Sequence, residues 1–480
     1  MPVDNLKSQT RRGIHWSAAS NVVNKGLQFV FGIILARLLL PSDYGIIGIL
    51  AIFITIIQLF VDSGFSNAII TKQYRTQVDL STAFYFNVVV GLVGYVSLFA
   101  ASPFIASFYG MPILSPVLKV IGLGVIINSL NIVQAAHYAI NLNFKTPAKI
   151  SIFCQVTSGI VGIALAYHGF GVWSLVSQQV IGGVVNLLLN WICVRWRPSL
   201  VFSFSSLKTL WNYGTKVLGS SIISTTYDNV QPLIIGKCFS ASELGLFTRA
   251  QGFAVLPSSN ISGVLANVTF PLLSKINDNR ERMASVYRRL LKVSAYIVFP
   301  LMIGLAVLSA PLVKLLLPER WYGCIPLLQI ICFSLIWQPI SLVNLTLLNA
   351  AKRPDIVLKL EFIKKPLGLV LLFASIPFGI KVMCLANLCV CVFAVIINTV
   401  MTSRTLELPF WDQVLDIAPI FFHASMMGAA VWGATFLIDS NIVRLTVGMV
   451  TGALYYLFVS KMFMSELLND VLYMTKRKSE

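Results

Sequence analysis

Long apolar runs alternate with short polar breaks along the whole chain. Each run has roughly 20 to 27 residues, and a membrane-spanning helix needs about 20. The runs cover residues 14–38, 44–66, 80–104, 113–138, 148–167, 170–194, 210–236, 245–271, 290–310, 323–349, 357–376, 380–402, 414–437 and 441–464. Most breaks contain Pro, Gly, Asp or Asn, which end helices. The pattern predicts an all-α integral membrane protein with about fourteen transmembrane helices.

Positive charge is distributed unevenly among the predicted loops. The 480 residues include 36 Lys and Arg against 18 Asp and Glu, which gives a net charge of +18. With the N-terminus inside and the loops alternating in side, the cytosolic loops hold about three times as many basic residues as the outer loops, as the positive-inside rule requires. This predicts that both termini are cytosolic, and it explains the charge without a nucleic-acid partner.

The composition excludes a water-soluble enzyme as the default. Hydrophobic residues make up 57% and charged residues 11% of the chain, whereas soluble proteins have roughly 25% charged residues. The sequence has no phosphate-binding glycine loop and no His, Asp and Glu spacing typical of a metal or hydrolytic site. The eight cysteines lie in apolar runs or near helix ends, where they resemble small apolar residues. We therefore expect no catalytic residues, no metal and no cofactor.

An internal repeat is visible when the chain is compared with itself. At an offset of 200 residues, Arg37–Gly45 aligns with Lys237–Gly245, and a cation, a serine, an acid and a glycine coincide. Two later segments align at an offset of about 208–210. The repeat predicts two parallel six-helix halves, residues 1–198 and 199–404, followed by helices 13 and 14 and a tail in residues 405–480. Transporters built from such repeats bind substrate near the membrane midplane at the repeat interface.

Polar side chains form stripes on several predicted membrane helices. They include Asn24 and Gln28 on helix 1, Asn131 and Gln134 on helix 4, and Asn344 on helix 10. Helices 4 and 10 correspond at an offset of 210 residues. Any single residue of this kind is more often a contact between helices. Because the stripes match in both halves, and hydrocarbon leaves polar groups unsatisfied, we favour a polar central cavity for the set.

Ionisable residues inside membrane helices are the strongest functional candidates. Lys25 lies near the middle of helix 1, Arg249 about a turn into helix 8, and Asp228 near the middle of helix 7, while Asp62 lies near the cytosolic end of helix 2. One interpretation is a structural pair of Lys25 and Asp228. In the other, Lys25 and Arg249 bind an anionic head group, and Asp228 or Asp62 serves as a counter-ion or as the proton or sodium site of an ion-coupled cycle.

Short phrases along nearly the whole chain resemble one family. They are Leu35–Gly45, Asp62–Ser66, Ile105–Tyr109, Gly169–Leu175, Trp196–Pro198, Gly245–Gln251, Phe270–Ser274, Ala310–Val313 and Pro326–Ile331. Their order and spacing are those of the polysaccharide-export flippases in the multidrug/oligosaccharidyl-lipid/polysaccharide exporter superfamily. The resemblance is strongest to the colanic-acid and lipopolysaccharide-biosynthesis branch.

This resemblance implies a substrate and a cellular site. The family moves undecaprenyl-diphosphate-linked oligosaccharide across the bacterial cytoplasmic membrane by alternating access, for O-antigen, capsule or exopolysaccharide synthesis. Basic residues of related lipid flippases hold the diphosphate in a central cavity. In this sequence Lys25 and Arg249 match that role, and Lys216 and Arg37 are further candidates. The resemblance also implies contact with membrane lipid, a polysaccharide polymerase and a chain-length regulator as candidate partners, and coupling to a proton or sodium gradient.

Two other functions remain open at this stage. A cation-coupled multidrug exporter of the same superfamily would need acidic residues in its site, whereas this chain offers basic ones. A membrane-embedded polymerase or ligase, which would be an enzyme, usually carries a large outer loop, and every outer loop predicted here is short. The sequence therefore favours the lipid-linked oligosaccharide flippase.

Overall fold

The computed structural model describes the backbone of residues 3–62, 69, 75–276 and 279–469, with the side chains of most of them. These residues are predominantly α-helical and include no β-strand. The chain divides into two compact units, Met1–Gly245 and Leu246–Glu480. The predicted all-α class is confirmed.

The first unit holds nine α-helices among the described residues, together with the first turn of a tenth. They are α1 (Val3–Leu38), α2 (Pro41–Asp62), α3 (Gln77–Tyr109), α4 (Leu114–Ile121), α5 (Leu123–Ser129), α6 (Ile132–Ile140), α7 (Lys145–Tyr167), α8 (Val172–Cys193) and α9 (Phe204–Cys238). Helix α7 packs against α1 and α8, and α2 packs against α3 and α9. Small residues allow this closeness, because a Cβ on Gly159 of α7 would overlap the Phe31 ring of α1.

The second unit contains the rest of the tenth helix and eight more α-helices among the described residues. They are α10 (Ala241–Lys275), α11 (Arg280–Val307), α12 (Ser309–Leu316), α13 (Cys324–Leu335), α14 (Gln338–Ala350), α15 (Pro354–Ser375), α16 (Ile380–Leu406), α17 (Phe410–Thr435) and α18 (Asn441–Phe463). Helix α11 is central, since it packs against α13, α14 and α17. Its Tyr287 and Phe299 are fully buried.

Within the described residues, helix lies at each of the fourteen predicted spans. In the described residues, eleven helical segments are long and apolar enough to cross a membrane. The other three segments at predicted spans are α9, α10 and α15. The first twelve residues of α15 include five charged residues, which explains why it does not meet the same criterion. The number of fourteen spans and the cytosolic position of both termini stay predictions.

The helices differ from the predicted runs in two respects. Helix α1 starts at Val3 and α11 at Arg280, each about ten residues before its apolar run, because a helical hydrogen-bond ladder continues through charged residues outside the apolar zone. The runs at 113–138 and 323–349 are interrupted: the first contains α4, α5 and α6, and the second contains α13 and α14. Pro339 explains the second interruption, since it has no N–H for the helical ladder.

The offset of 200 residues found in the sequence recurs in the helix boundaries. Helix α1 ends at Leu38 and α9 at Cys238, and α2 starts at Pro41 and α10 at Ala241. The coinciding acids also make the same bond, because Asp43 accepts the backbone N–H of Leu40 at 2.9 Å and Glu243 accepts that of Ser240 at 3.1 Å. Such bonds satisfy N–H groups that a helix start leaves open. The predicted division at residues 198 and 404 stays a prediction.

The coinciding glycines bring these two helix starts together within the first unit. A Cβ on Gly45 would overlap the backbone carbonyl of Ala241, and a Cβ on Gly245 would overlap that of Pro41. The contact is reciprocal, since each copy of the repeat supplies one glycine and one carbonyl. Only glycine permits this approach, and the repeated glycine found in the sequence is thereby explained.

Candidate functional site

Three predicted site residues lie on α1. Asn24 Nδ2 donates to Ser151 Oγ of α7 at 2.7 Å. Lys25 is half-buried and Gln28 is exposed. Asn24 therefore links two helices of the first unit, as polar residues in membrane helices often do, while Lys25 and Gln28 present polar groups at the surface of this unit.

The predicted acids of the first unit lie on α9 and α2. Asp228 is an exposed residue of α9, ten residues before the helix ends at Cys238. Asp62 is the last residue of α2, and its Oδ1 accepts a hydrogen bond from Asn128 Nδ2 at 3.4 Å. Lys216 also falls on α9 but lies outside the residues whose side chains the structure describes. Ion coupling through Asp228 or Asp62 stays a prediction.

Asn131 lies in the interruption between α5 and α6, and Gln134 lies in the first turn of α6. Asn131 Nδ2 donates to Asn186 Oδ1 of α8 at 2.6 Å. Gln134 is fully buried within the first unit. A buried side chain does not reach a large head group in the described conformation, so these two amides belong to the interior of the unit. Their predicted role in substrate binding stays a prediction.

Arg249 is the predicted basic residue of α10. It lies eight residues from the helix start at Ala241, which is about 12 Å along the axis. The side chain is half-buried, and its guanidinium carbon lies 4.7 Å from the centroid of the Phe253 ring. A cation beside an aromatic face is stabilised by the electrons of the ring.

Asn344 belongs to a polar cluster in the core of the second unit. Its Oδ1 lies 2.6 Å from the Tyr287 hydroxyl and accepts a bond from Thr402 Oγ1 at 2.9 Å. Its Nδ2 donates to the Ile340 carbonyl at 3.1 Å. Asn344 is fully buried, and its contacts join α11, α14 and α16. These bonds account for its presence inside a membrane helix, and its substrate-binding role stays a prediction.

An ion-pair cluster in the second unit was missed by the sequence analysis. Asp416 of α17 is 6% exposed and receives two bonds from Arg288 of α11, at 2.5 and 2.8 Å, and lies 2.9 Å from Lys292. Both cations line a cavity of about 860 Å³. The sequence interpretation assigned Arg288 to the loop charges that set topology. No local signal connects it to an acid 128 positions later.

A second missed cluster lies on α15. Lys364 Nζ lies 2.6 Å from Glu361 Oε1, and Lys365 Nζ lies 3.6 Å from Glu361 Oε2. Lys364 is buried, while Phe362 and Ile363 are exposed. The spacing of three and four residues was a usable signal, because such pairs share one helix face. The charges thus lie on the side of α15 that faces protein.

The side chains described above offer groups that bind ions and polar molecules. Among the residues that the structure describes, no group of three His, Cys, Asp or Glu side chains is arranged to hold a metal ion. The cysteines in these ranges are free thiols, and half of them are buried. The charged and amide groups described above can bind ions and polar head groups.

Comparison with known proteins identifies the family. A family model described as polysaccharide biosynthesis protein matches residues 34–326. The chain belongs to this family. The resemblance found in the sequence is thereby confirmed, and this member of the polysaccharide biosynthesis family is a multi-pass membrane protein.

Relatives of this family member include two bacterial proteins with assigned roles in polysaccharide synthesis. The chain is 28% identical to the lipopolysaccharide biosynthesis protein WzxC of Escherichia coli (strain K12), over 75% of this chain and 73% of that protein. It is 25% identical to the succinoglycan biosynthesis transport protein ExoT of Rhizobium meliloti (strain 1021), over 69% of this chain and 67% of that protein.

Several solved structures share the fold, and two of them illustrate it. The lipid II flippase MurJ in an inward closed conformation has a TM-score of 0.77 at 16% identity, over 94% of this chain and 99% of MurJ. An inward-facing multidrug resistance transporter of the MATE family has a TM-score of 0.63 at 16% identity, over 82% of this chain and 99% of that transporter. At this identity the likeness establishes the fold of this polysaccharide biosynthesis protein and no more.

Proposed function

We propose that this protein is a flippase that moves polyprenyl-diphosphate-linked oligosaccharide from the inner to the outer leaflet of a bacterial cytoplasmic membrane. The proposal draws on the family and on relatives named for lipopolysaccharide biosynthesis and succinoglycan transport. The structural observation that carries it is Arg249, a half-buried guanidinium about 12 Å inside an apolar helix. A diphosphate is the kind of anion that a guanidinium binds with paired hydrogen bonds.

Lys25 is the second basic residue for which the sequence predicts a role in binding the head group. It is half-buried on α1, within the candidate span Ala19–Leu38. A charge at such depth costs about 2.5–3.5 kcal/mol on insertion scales, and a bound anion would offset that cost. Drug cations would gain nothing from these two residues, so the observations favour an anionic lipid over the multidrug substrates of the alternative function.

The apolar part of the substrate also has a complementary surface. The second unit has a groove of about 480 Å³ along α16 and α17, lined by Val395, Ile396, Trp411 and Phe421 among others. Its walls are almost entirely apolar, which suits an isoprenoid chain. The protein would expose the head-group site alternately to the two sides, as a transporter rather than an enzyme, and would hand the lipid to a polymerase and its chain-length regulator.

The decisive variants remove both basic residues. In a host that depends on the protein for its polymer, Lys25→Ala with Arg249→Ala should lower polymer output about tenfold or more at normal protein level, since each lost charged contact is worth more than about 1.4 kcal/mol. Lipid-linked oligosaccharide should accumulate on the inner leaflet. The matched control is Lys359→Ala with Arg404→Ala, which removes two exposed cations.

The double variant and a deletion strain together distinguish the flippase from the multidrug exporter. Unchanged polymer output from the double variant would contradict the head-group role. A deletion strain with normal glycan and increased sensitivity to cationic drugs would contradict the proposed function and favour the multidrug exporter.

A further inference from the structure

A cavity of about 860 Å³ opens beside the first turns of α11 in the second unit. One wall is a single face of α11, because its lining residues recur every three or four positions. They include Glu281, Ser285, Arg288 and Lys292. The rest of the wall comes from Leu408, which precedes α17, and from the helical residues Glu466 and Leu467, which follow α18. The cavity therefore joins three parts of the second unit, and it contains none of the predicted site residues.

The position of this cavity along α11 places it at the edge of the apolar zone. The apolar run of this helix covers residues 290–310. Arg288 lies just before the run and Lys292 just inside it, whereas Glu281 lies about 10 Å before Arg288 along the helix axis. The cations are thus at the boundary of the hydrocarbon and the acid is outside it, which is the layer that phospholipid head groups occupy.

Asp416 holds the two cations of the cavity without using all their donors. Arg288 bonds this carboxylate through Nε and Nη2, so the Nη1 group takes no part in these bonds. Lys292 Nζ lies 2.9 Å from Asp416 Oδ1, and an ammonium group has three N–H donors. One acid balances only one of the two positive charges. The pair is therefore fixed in position and can still donate to an anion in the cavity.

Two acids line the same cavity. Glu281 is an exposed residue in the first turn of α11, and Glu466 is an exposed residue of the segment after α18. A ligand with negative charge alone would be repelled by both carboxylates, and unfavourable like-charge contacts cost several kcal/mol at a binding surface. The lining therefore suits a ligand that carries both an anionic and a cationic group.

Apolar side chains complete the wall of the cavity. Leu408 and Leu467 both line it. Leu408 is 8% exposed, and its backbone N–H bonds the Ser403 carbonyl at 3.0 Å, so its position is fixed. A small soluble ion would gain nothing from these side chains, whereas the glycerol and first acyl carbons of a lipid would bury apolar surface against them. The wall thus favours a lipid over a free ion.

We propose that this cavity binds the head group of a phospholipid that carries a phosphate and a primary ammonium, as phosphatidylethanolamine does. The phosphate accepts hydrogen bonds from Arg288 and Lys292, and the ammonium donates to Glu281 and Glu466. Guanidinium and phosphate form strong charge-assisted bonds, and basic pockets between membrane helices bind phospholipid head groups. The order of charges also agrees, because the phosphate of this lipid is next to the glycerol and the amine is at the free end.

This lipid site is separate from the residues predicted to bind the transported head group. Lys25 lies on α1 and Arg249 on α10, whereas the cavity is built on α11 and the segment after α18. A polyprenyl diphosphate offers two phosphates and no ammonium, so Glu281 and Glu466 would disfavour it. The bound phospholipid would instead connect α11 with the segment after α18 and so stabilise the second unit in its membrane.

Native mass spectrometry of the full chain in detergent tests the lipid preference. The protein is mixed with equal amounts of phosphatidylethanolamine, phosphatidylglycerol and phosphatidylcholine that have the same acyl chains, and the bound lipids are resolved by mass. Phosphatidylethanolamine should be bound about tenfold more than phosphatidylglycerol, which lacks the ammonium. It should also exceed phosphatidylcholine, whose methylated ammonium has no N–H to donate. Equal binding of all three lipids would overturn the proposal.

Variants of the two acids assign the preference to this cavity. Glu281→Gln with Glu466→Gln should abolish the tenfold preference, and Glu281→Lys should shift it toward phosphatidylglycerol. Both acids are exposed, so the variants should fold, since surface substitutions change stability little. The matched control is Glu319→Gln, which removes another exposed acid and should keep the preference. An unchanged preference in the double variant would overturn the proposal.

A soluble head group distinguishes a membrane lipid from a free molecule as the ligand. Glycerophosphoethanolamine carries the same phosphate and ammonium without acyl chains. At the concentration of the lipid it should be bound about tenfold less or weaker still, because it buries less apolar surface. Equal binding would overturn the assignment to a lipid. None of these measurements involves transport, so the proposed flippase function stands or fails separately.

Discussion

The two interrupted helices of this protein have related sequences and different hydrogen bonding. In the second unit, the polar residues of α14 are bonded: Ser258 donates to Gln338 at 2.9 Å, Asn398 donates to Ser341 at 2.6 Å, and Asn344 is bonded through both amide atoms. In the first unit, Gln134 aligns with Asn344 at an offset of 210 residues, and neither of its amide atoms has a partner among the described residues.

This difference shows how a duplicated architecture can diverge in chemistry. The interruption, the polar face and the level of burial are shared, so the backbone pattern has been kept. The amides of α14 hold the helices of the second unit together. The Gln134 amide of α6 makes no such bond among the described residues. Equivalent positions therefore predict equivalent backbone structure but not equivalent function.

The largest loss of stability is expected at the two glycines that occupy corresponding positions of the sequence repeat. Gly45→Ala and Gly245→Ala each place a methyl group on a backbone carbonyl, and both should destabilise the protein by about 3 kcal/mol or more. Gly26→Ala and Gly252→Ala are matched controls in α1 and α10, because nothing lies within 4 Å of either Cβ position. Thermal unfolding of the four variants decides the point. A large loss in only one of the two contact variants would show that the copies are not equivalent there.

The next largest loss of stability should differ between the two interrupted helices. Asn344→Leu leaves the Tyr287 and Thr402 hydroxyls without their shared acceptor, and stability should fall by about 2–4 kcal/mol. Gln134→Leu should change stability by less than about 1 kcal/mol, or raise it. The unfolding midpoints are compared in the same detergent or nanodisc. Equal losses from both variants would abolish the distinction between the helices.

A smaller loss of stability is expected for the Asp416 ion-pair cluster, which the sequence repeat does not include. Asp416→Asn removes the charge that Arg288 and Lys292 share, and breaking a buried pair costs about 3–5 kcal/mol. Because the two cations are 38% and 37% exposed, we expect about 2 kcal/mol after solvent screening. Glu407→Gln is the control, since its pair with Arg280 is exposed on both sides. If both variants unfold alike, the Asp416 cluster adds nothing to the packing of α11 on α17.

The smallest loss of stability is expected for the acids at the starts of α2 and α10. Asp43→Asn and Glu243→Gln weaken the bonds to the backbone N–H groups of Leu40 and Ser240, and each should cost about 0.5–1 kcal/mol. The two losses should be similar, since the bonds are equivalent. Paired unfolding curves on both variants measure this. A difference above about 1 kcal/mol would mean that one acid has taken on another role.

The sequence alone predicted where the helices lie, but it did not predict the breaks inside two of them. Hydropathy located every helical span, because burial in lipid requires long apolar segments. The interruptions at Leu130–Asn131 and Ile336–Trp337 were not predicted, since a broken helix keeps the same apolar pattern as a continuous one. Pro339 was a usable signal for one of them, and the polar residues Asn128 and Ser129 were a weaker signal for the other.

The candidate site was predicted in part. Lys25 and Arg249 were identified as charged residues inside predicted membrane helices, and both are half-buried in helices. The matching polar stripes grouped Asn344 with cavity residues, although its partners hold it inside the second unit. Partners such as Asp416 for Arg288, 128 positions apart, depend on tertiary packing that no local pattern encodes. Buried amide oxygens without partners can be recognised only when the surrounding helices are known.

We propose that this protein moves a lipid-linked oligosaccharide between leaflets, and Lys25 and Arg249 are the residues predicted to bind its head group. The most direct measurement uses purified protein in liposomes that contain a fluorescent polyprenyl-diphosphate oligosaccharide and an external quencher. The wild-type protein should expose inner-leaflet lipid to the quencher, and Lys25→Ala with Arg249→Ala should not. Protection of the inner leaflet in the presence of wild-type protein, or equal rates for wild type and double variant, would contradict the account.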